Sequence, residues 1–435
     1  MSGWAFSKFS PYSRRLKRLA LNGSLDAGPK EWSTMCDPAL NGEPARTLRQ
    51  QIATRVRRSA GAFFTGSALA RRLLRKTNLP ARRIVVIDPT CGAGDLLLAT
   101  ARRLPLGKSL QHTIDGWGRT LQGLDLQPEF VATARARLLL LARQRHGFTH
   151  PSQVEWSTAF PRIRVGDALQ QRKLYRTADL ILINPPFSTM PAPAGCAWTG
   201  GSVNSAALFL DHVLNYVRPG TRILAILPEV LRTGTRYTKW RRLISLRAER
   251  LAVESCGIFD NSVDVDVFFL VLQKRTKQSP RASGDWLIRE SQPGSTLSDY
   301  FNVTVGPVVP YRAPHKGPRR RYLHPRNVPA WTVVRRTTET RCFAGAVFKP
   351  PFVVIRRTSR PGDEFRAVAA EVQGTNLVAV ENHLIVCTPK DGTIRQCRLL
   401  IKALKRKQTN HFLNNHIRCR HLTVRAIKEI PLAKG

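Results

Sequence analysis

Residues 85–99 read VVIDPTCGAGDLLLA: a short β-branched run, Asp88 at its end, a turn holding Gly92 and Gly94, then an apolar helix start. In a doubly wound sheet, ligands lie across the carboxyl ends of the strands, and this turn follows such an end. Glycine lets the backbone approach a bound molecule closely, and the amides of a helix start favour a negatively charged group. A lone G-x-G is equally compatible with an ordinary strand-to-helix turn. A nicotinamide site is disfavoured, because Leu97 stands where the third glycine of G-x-G-x-x-G belongs.

Downstream of this turn, short apolar runs alternate with amphipathic ones. LQGLDL, PEFVATARARLLLLARQ, RIRVGDAL and ADLILINPPF are followed by NSAALFLDHVLNYV, RILAILPEVL, TKWRRLISLRAERL and DVDVFFLVLQK. Strand–helix alternation of this length predicts an open, mainly parallel α/β sheet with helices on both faces. Upstream, TLRQQIATRVRRSAGAFFTGSALARRLL reads as two helices flanking GAFFTG, and residues 1–44 read as a loosely ordered basic arm. The sheet domain is expected over 45–277 and a Ser/Gly/Pro-rich linker over 278–330. A smaller α+β domain, with β-like runs such as FVVIRR and LVAVENHLIVCTP, is expected over 331–435. Phe268 and Phe269 read as core of a late strand, and Trp240, Arg241 and Arg242 as part of a solvated basic helix face.

Two more carboxylates close strand-like runs, Asp125 in GLDLQP and Asp167 in RVGDAL. Any one of them alone reads as a helix cap. Three at successive strand ends point to a shared ligand, with Asp125 placed to accept hydrogen bonds from ribose hydroxyls. The fourth run ends in Asn184, Pro185, Pro186 and Phe187. Two prolines stop the strand and stiffen the chain, so that Asn184 and the Pro185 carbonyl can point into one pocket beside Phe187.

Taken in this order, GAFFTG, DPTCGAG, GLDLQP, GDAL and NPPF resemble the S-adenosylmethionine-dependent adenine-N6 DNA methyltransferases of restriction-modification systems. The similarity is closest to those with the cofactor region before NPP[FY] and a target-recognition region after it. It covers about residues 50–277, and KPPFVVIRRTSRPG and the tail are more weakly similar to recognition domains. In GAFFTG, Gly66 stands where that family has a proline. The resemblance implies a Rossmann-like seven-stranded sheet, S-adenosyl-L-methionine as cofactor and double-stranded DNA as partner. It implies that Phe64, Thr65 and the loop Asp88, Pro89, Cys91, Gly92 and Gly94 hold the cofactor's methionine part. Asp125 would take its ribose hydroxyls and Asp167 its adenine amino group. Asn184 and Pro185 would receive the target amine, Pro186 would fix their geometry and Phe187 would stack on the extruded base. The resemblance also implies that the 331–435 domain supplies some or all of the DNA target recognition, and a separate specificity or nuclease subunit stays open.

The chemistry asks for these residue types independently. An exocyclic amine is a poor nucleophile because its lone pair is delocalised into the ring. Two acceptors, the Asn184 amide oxygen and the Pro185 carbonyl, can each take one N–H and direct the lone pair. No metal is required, and the group His411, His416, Cys419 and His421 lacks paired ligand spacing. Cys91 lies in the glycine loop, away from the position a cytosine-C5 nucleophile needs.

Composition agrees with a polyanionic partner. The 435 residues carry 70 Lys and Arg against 29 Asp and Glu, a net charge of +41, and arginine outnumbers lysine about threefold. Arginine forks phosphates and guanine edges, although an arginine-rich proteome would explain part of this excess. Eight scattered cysteines without C-x-x-C spacing indicate neither a zinc ribbon nor a disulfide framework. No apolar run approaches the ~20 residues of a membrane span. The expected setting is cytoplasmic, at the nucleoid, with no membrane association. NPP[FY] also occurs in methyltransferases of RNA guanine and protein glutamine, and a non-catalytic DNA-binding subunit is a further alternative.

Overall fold

The computed structural model describes residues 6–22, 29–80, 82–147, 154–260, 263–277, 286, 294–418 and 420–432. The chain divides into two units, Met1–Trp286 and Leu287–Gly435.

The strands of the first unit are β1 (Val86–Asp88), β2 (Leu121–Asp125), β3 (Ile163–Val165), β4 (Leu180–Ile183), β7 (Arg222–Pro228), β8 (Ala248–Asp260) and β9 (Val263–Lys274). Between β4 and β7, Thr189–Pro191 (β5) and Ser202–Asn204 (β6) pair as a separate ribbon. The seven-stranded sheet runs β3-β2-β1-β4-β7-β9-β8, with β9 antiparallel to both neighbours and the others parallel. Chain order reverses between β1 and β4, the switch point at which such sheets bind ligands.

Alternation along the strands feeds two cores. Val86, Leu224 and Ile226 face one side, and Ile87, Ile223 and Ala225 the other. On the first side lie α1 (Ser10–Asn22), α2 (Pro29–Leu40), α3 (Glu43–Gln51), α4 (Thr54–Ala60), α5 (Ser67–Leu74), α6 (Asp95–Ala101), α7 (Leu110–Thr120) and α8 (Pro128–Arg145). On the second lie α9 (Arg172–Tyr175), α10 (Ser205–Tyr216), α11 (Glu229–Thr233) and α12 (Thr238–Arg247). Phe268 and Phe269 are buried, one in each core, as a central strand requires.

The described residues within 1–44 depart from the expected loose arm. Phe6, Phe9, Leu16 and Ala20 are buried at intervals of three to seven residues, a helical stripe hidden among lysines and arginines. That stripe packs α1 onto α8. Arg143 of α8, itself buried, donates from Nε to Ala20 O at 2.9 Å and from Nη2 to Leu21 O at 3.0 Å, satisfying carbonyls that a helix end leaves open. Helix α12 also differs from a solvated face, because Trp240 is wholly buried and Arg241 donates to the carbonyls of Leu231 and Gly234, both at 2.9 Å. Arg242 is exposed.

In the second unit a five-stranded sheet is ordered β10 (Phe301–Val305), β17 (Leu384–Pro389), β14 (Phe352–Arg356), β15 (Ala369–Val372), β12 (Val333–Val334). A smaller sheet joins β13 (Thr340–Cys342), β11 (Arg319–Leu323) and β16 (Val378–Val380). Helices α14 (Ile394–Leu404), α15 (Lys407–His416) and α16 (Val424–Lys428) follow α13 (Leu297–Tyr300) in chain order, and Leu400, Leu413 and Ile427 pack on one sheet face. The second domain is therefore α+β as expected, but it starts earlier than 331. Strand β10, with Phe301 and Val303 alternately buried, pairs with β17, so the outer part of the expected linker is sheet. Apart from Trp286 and Gly294–Ala330, the 278–330 segment lies outside the described residues, as does Cys419. Among the described residues no helix is long and apolar enough to cross a membrane, and no group of three or more His, Cys, Asp or Glu is placed to hold a metal.

Candidate active site

The carboxyl ends of β1 to β4 surround one cleft of about 120 Å³. The turn after β1 contributes Pro89, Thr90 and Gly92, and the end of β2 contributes Asp125, Leu126 and Gln127. Gly166, Asp167 and Ala168 follow β3, and Asn184 and Pro186 follow β4. Phe6, Phe64 and Phe130 close one wall, with Phe64 and Phe130 edge-to-face at 4.9 Å and Phe6 and Phe130 at 5.1 Å.

Backbone amides set the acidic groups. Thr90 N donates to Asp88 Oδ1 at 3.1 Å, and Gly92 N and Gln127 N donate to the two oxygens of Asp125 at 3.0 and 2.9 Å. Asp125 thus ties the glycine loop to its own strand end, and its carboxylate has acceptor capacity left for a ligand. Burial pushes the Asp125 carboxyl up to about 6, against the lowering effect of those amides. Asp88, fully enclosed beneath the loop, is pushed up to about 8 by burial, with Asp125 and Asp95 adding to the rise. Asp167 lines the cleft and also caps the turn after β3, accepting from Leu169 N at 2.9 Å and Gln170 Nε2 at 3.0 Å.

At the end of β4 the Asn184 amide nitrogen donates to Thr65 Oγ1 at 2.9 Å, which turns Oδ1 the other way. That oxygen is buried and has no hydrogen-bond partner among the described residues. The Pro186 carbonyl accepts from Ser205 Oγ at 2.5 Å and the Phe187 carbonyl from Asn204 Nδ2 at 3.1 Å. Phe187 is half-buried, its ring edge-on to Phe259 at 5.5 Å.

GAFFTG wraps this corner from outside the sheet. Gly61 has φ +63° and lies so close to Pro186 that a β-carbon would stand 2.1 Å from the proline Cβ. Gly66 has φ +75°, which proline cannot adopt, and its N–H donates to Asp95 Oδ2 at 2.7 Å, which proline could not supply. Asp95 is in turn paired at 2.9 Å with Arg137, a wholly buried guanidinium that also donates to Ala93 O at 2.5 Å and Ala39 O at 2.7 Å. One arginine thereby joins the glycine loop, the GAFFTG loop and α2.

Of the residues singled out from sequence, Phe64, Pro89, Gly92, Asp125, Asp167, Asn184 and Pro186 meet in the cleft. Thr65 stands behind Asn184 as its partner, Asp88 beneath the loop, and Pro185 and Phe187 at the corner without lining the cleft. Cys91 is buried under β2, against Gly123, and burial holds its thiol well above the ordinary range. Gly94 packs against Ala134 of α8. Sequence reasoning missed Phe6, Phe130, Leu126 and the Asp95–Arg137 pair. Leu126 carried a signal, an apolar residue directly after the strand-end Asp125, and the structure leaves it 62% exposed. Arg137 carried one too, as an arginine inside the apolar run of α8.

The N-6 DNA Methylase family model matches residues 46–298. The chain belongs to that family. Family members use S-adenosylmethionine, and the residues here fit it: a paired-amide carboxylate at Asp125, an apolar wall of Phe64 and Leu126, and an unpartnered acceptor at Asn184. Among curated relatives, the adenine-specific methyltransferase PglX of Streptomyces coelicolor is 29% identical over 153 residues, 30% of this chain and 12% of the relative. The type I restriction enzyme StySPI methylase subunit of Salmonella potsdam is 27% identical over 211 residues, 46% of this chain and 38% of the relative. The chain thus spans well under half the length of either. The crystal structure of the type IIG restriction endonuclease BpuSI is similar over 90% of this chain and 61% of its own, at 14% identity and a TM-score of 0.44.

Proposed function

We propose that this chain transfers a methyl group from S-adenosylmethionine to the N6 amino group of an adenine flipped out of DNA. The observation that carries this reading is the buried, unpartnered Asn184 Oδ1 at the edge of the cleft, its amide nitrogen already committed to Thr65. A buried acceptor left open is costly unless a ligand fills it. An N–H of an exocyclic amine is the donor that fits.

Phe64, Pro89, Gly92, Asp125, Leu126 and Asp167 would hold the cofactor, with Asp125 accepting from its ribose hydroxyls. When bound, S-adenosylmethionine supplies an electrophilic methyl group on a sulfonium centre. The work of the protein is orientation and electrostatics. Asn184 Oδ1 and the Pro185 carbonyl accept one N–H each, draw the amine out of conjugation and aim its lone pair. As the nitrogen becomes positively charged, its protons grow acidic, and Asn184 Oδ1 holds the one that leaves for water. Extrusion of the base costs a few kcal/mol, roughly, and stacking on the Phe187 ring offsets part of it.

DNA is favoured as substrate by the +41 net charge and by the names of the relatives, an adenine-specific methyltransferase and a restriction enzyme methylase subunit. The latter supports partnership with a separate specificity or nuclease subunit, and the second unit is assigned target recognition. The test is transfer from labelled cofactor to adenine-containing duplex DNA. Asn184→Ala is expected to abolish transfer and to retain cofactor binding; undiminished turnover would overturn the mechanism.

A further inference from the structure

The second unit carries a loop that the catalytic reading does not use. Between β10 and β11 the chain runs GPVVPYRAPHKGP, residues 306–318, and Tyr311 in its middle is 101% exposed. A ring that open to water contributes nothing to the fold that carries it. Arg312, His315, Lys316 and Arg319 are exposed beside it, and Tyr311–Arg321 holds five Lys and Arg residues and no carboxylate.

The loop is nonetheless firmly built. Arg312 N and Ala313 N both donate to Val309 O, at 3.0 and 2.8 Å, closing a turn around Tyr311. Val308 is fixed to the sheet on both sides, its N–H to Val380 O at 3.0 Å and its carbonyl to Asn382 N at 2.8 Å. From below, the buried Arg341 donates Nη2 to Ala313 O at 2.6 Å and to Pro310 O at 3.4 Å, while its guanidinium lies 5.7 Å from the Tyr322 ring. Pro310, Pro314 and Pro318 stiffen the remainder. An interior arginine thus braces the backbone on both sides of an aromatic side chain that points into solvent.

We propose that this loop is a duplex-DNA contact, in which Tyr311 enters a groove and Arg312, Lys316 and Arg319 engage the flanking phosphates. The inference rests on the proposed DNA substrate and adds a place where that substrate is gripped. A tyrosine offers a rigid amphipathic ring at low entropic cost, and a braced loop loses little freedom on binding. A run of cations with no carboxylate in its own segment serves phosphate contact, whereas insertion into a lipid surface needs an apolar face that this loop lacks.

The experiment measures affinity of the full chain for a labelled duplex oligonucleotide across a salt series. Arg312→Ala, Lys316→Ala and Arg319→Ala combined should weaken binding about 10- to 100-fold and flatten the log–log salt slope by roughly two to three. Tyr311→Ala should weaken it about tenfold and leave the slope alone. Both variants should keep the wild-type cofactor affinity and unfolding midpoint. Wild-type affinity and slope in both variants would overturn the loop assignment while leaving the DNA reading intact. A wild-type chain that binds no duplex would overturn the DNA reading itself and this assignment with it. Uptake by anionic phosphatidylglycerol vesicles that is lost in Tyr311→Ala, without any change on DNA, would also overturn it.

Discussion

The Asn184 side-chain nitrogen donates to Thr65 Oγ1 at 2.9 Å, so a residue 119 positions upstream fixes which way the amide proposed to be catalytic faces. Without that acceptor the amide is free to turn its nitrogen toward the amine it should receive. Thr65→Val keeps the shape and removes the acceptor; kcat is expected to fall about 10- to 100-fold. Thr65→Ser should restore most of it, which a purely structural role would not require. Steady-state methyl transfer with all three proteins checks this.

Gly61 presses on Pro186 with no room for a β-carbon. Gly61→Ala should therefore displace the diproline corner, destabilising the first unit by about 1–3 kcal/mol through overpacking and left-handed strain. Because the displaced atoms are those of the corner, turnover should drop more than cofactor affinity. Urea unfolding together with cofactor titration separates the two effects.

Cofactor affinity should depend on acidity through Asp125. Its carboxyl is raised to about 6, and only the ionised form can accept hydroxyl donors strongly at both oxygens. Below that pH the free protein holds a proton that binding has to expel, so Kd rises as pH falls, approaching about tenfold per pH unit. Above about pH 7 the affinity should level off. Calorimetry from pH 5 to pH 8 would show this bend in the wild type, and its persistence in Asp125→Asn would contradict the assignment.

Arg137→Met leaves Asp95 buried beneath the glycine and GAFFTG loops without its ion-pair partner, with only the Gly66 N–H among the described residues to support its charge. The expected destabilisation is about 3–5 kcal/mol, with a smaller loss when Asp95→Asn accompanies it. Thermal or urea unfolding of the single and double variants measures the coupling.

The first unit's sheet was legible because its strands are continuous apolar runs punctuated by Asp88, Asp125, Asp167 and Asn184. The same punctuation brought seven of the residues read from sequence to one cleft. What escaped depends on tertiary packing. Helix α1 and the turn before it show their stripe only once α8 supplies the opposing surface, since Phe6, Phe9 and Leu16 are separated by charges that composition alone reads as disorder. Strand β10 was lost in Pro- and Gly-rich text because its partner, β17, lies 80 to 88 residues away. Gly66 looked like the loss of a rigid proline, whereas the Asp95–Arg137 pair holds that loop through an N–H which proline lacks.

Phe6 on the cleft wall carries a practical corollary. The family match begins at residue 46, yet a fragment cut there would open one side of the proposed cofactor chamber, strip the Ala39 carbonyl from Arg137 and bare the guanidinium of Arg143. The smallest piece of this protein able to keep its chamber walled starts ahead of Phe6, and homology boundaries are the wrong place to trim it.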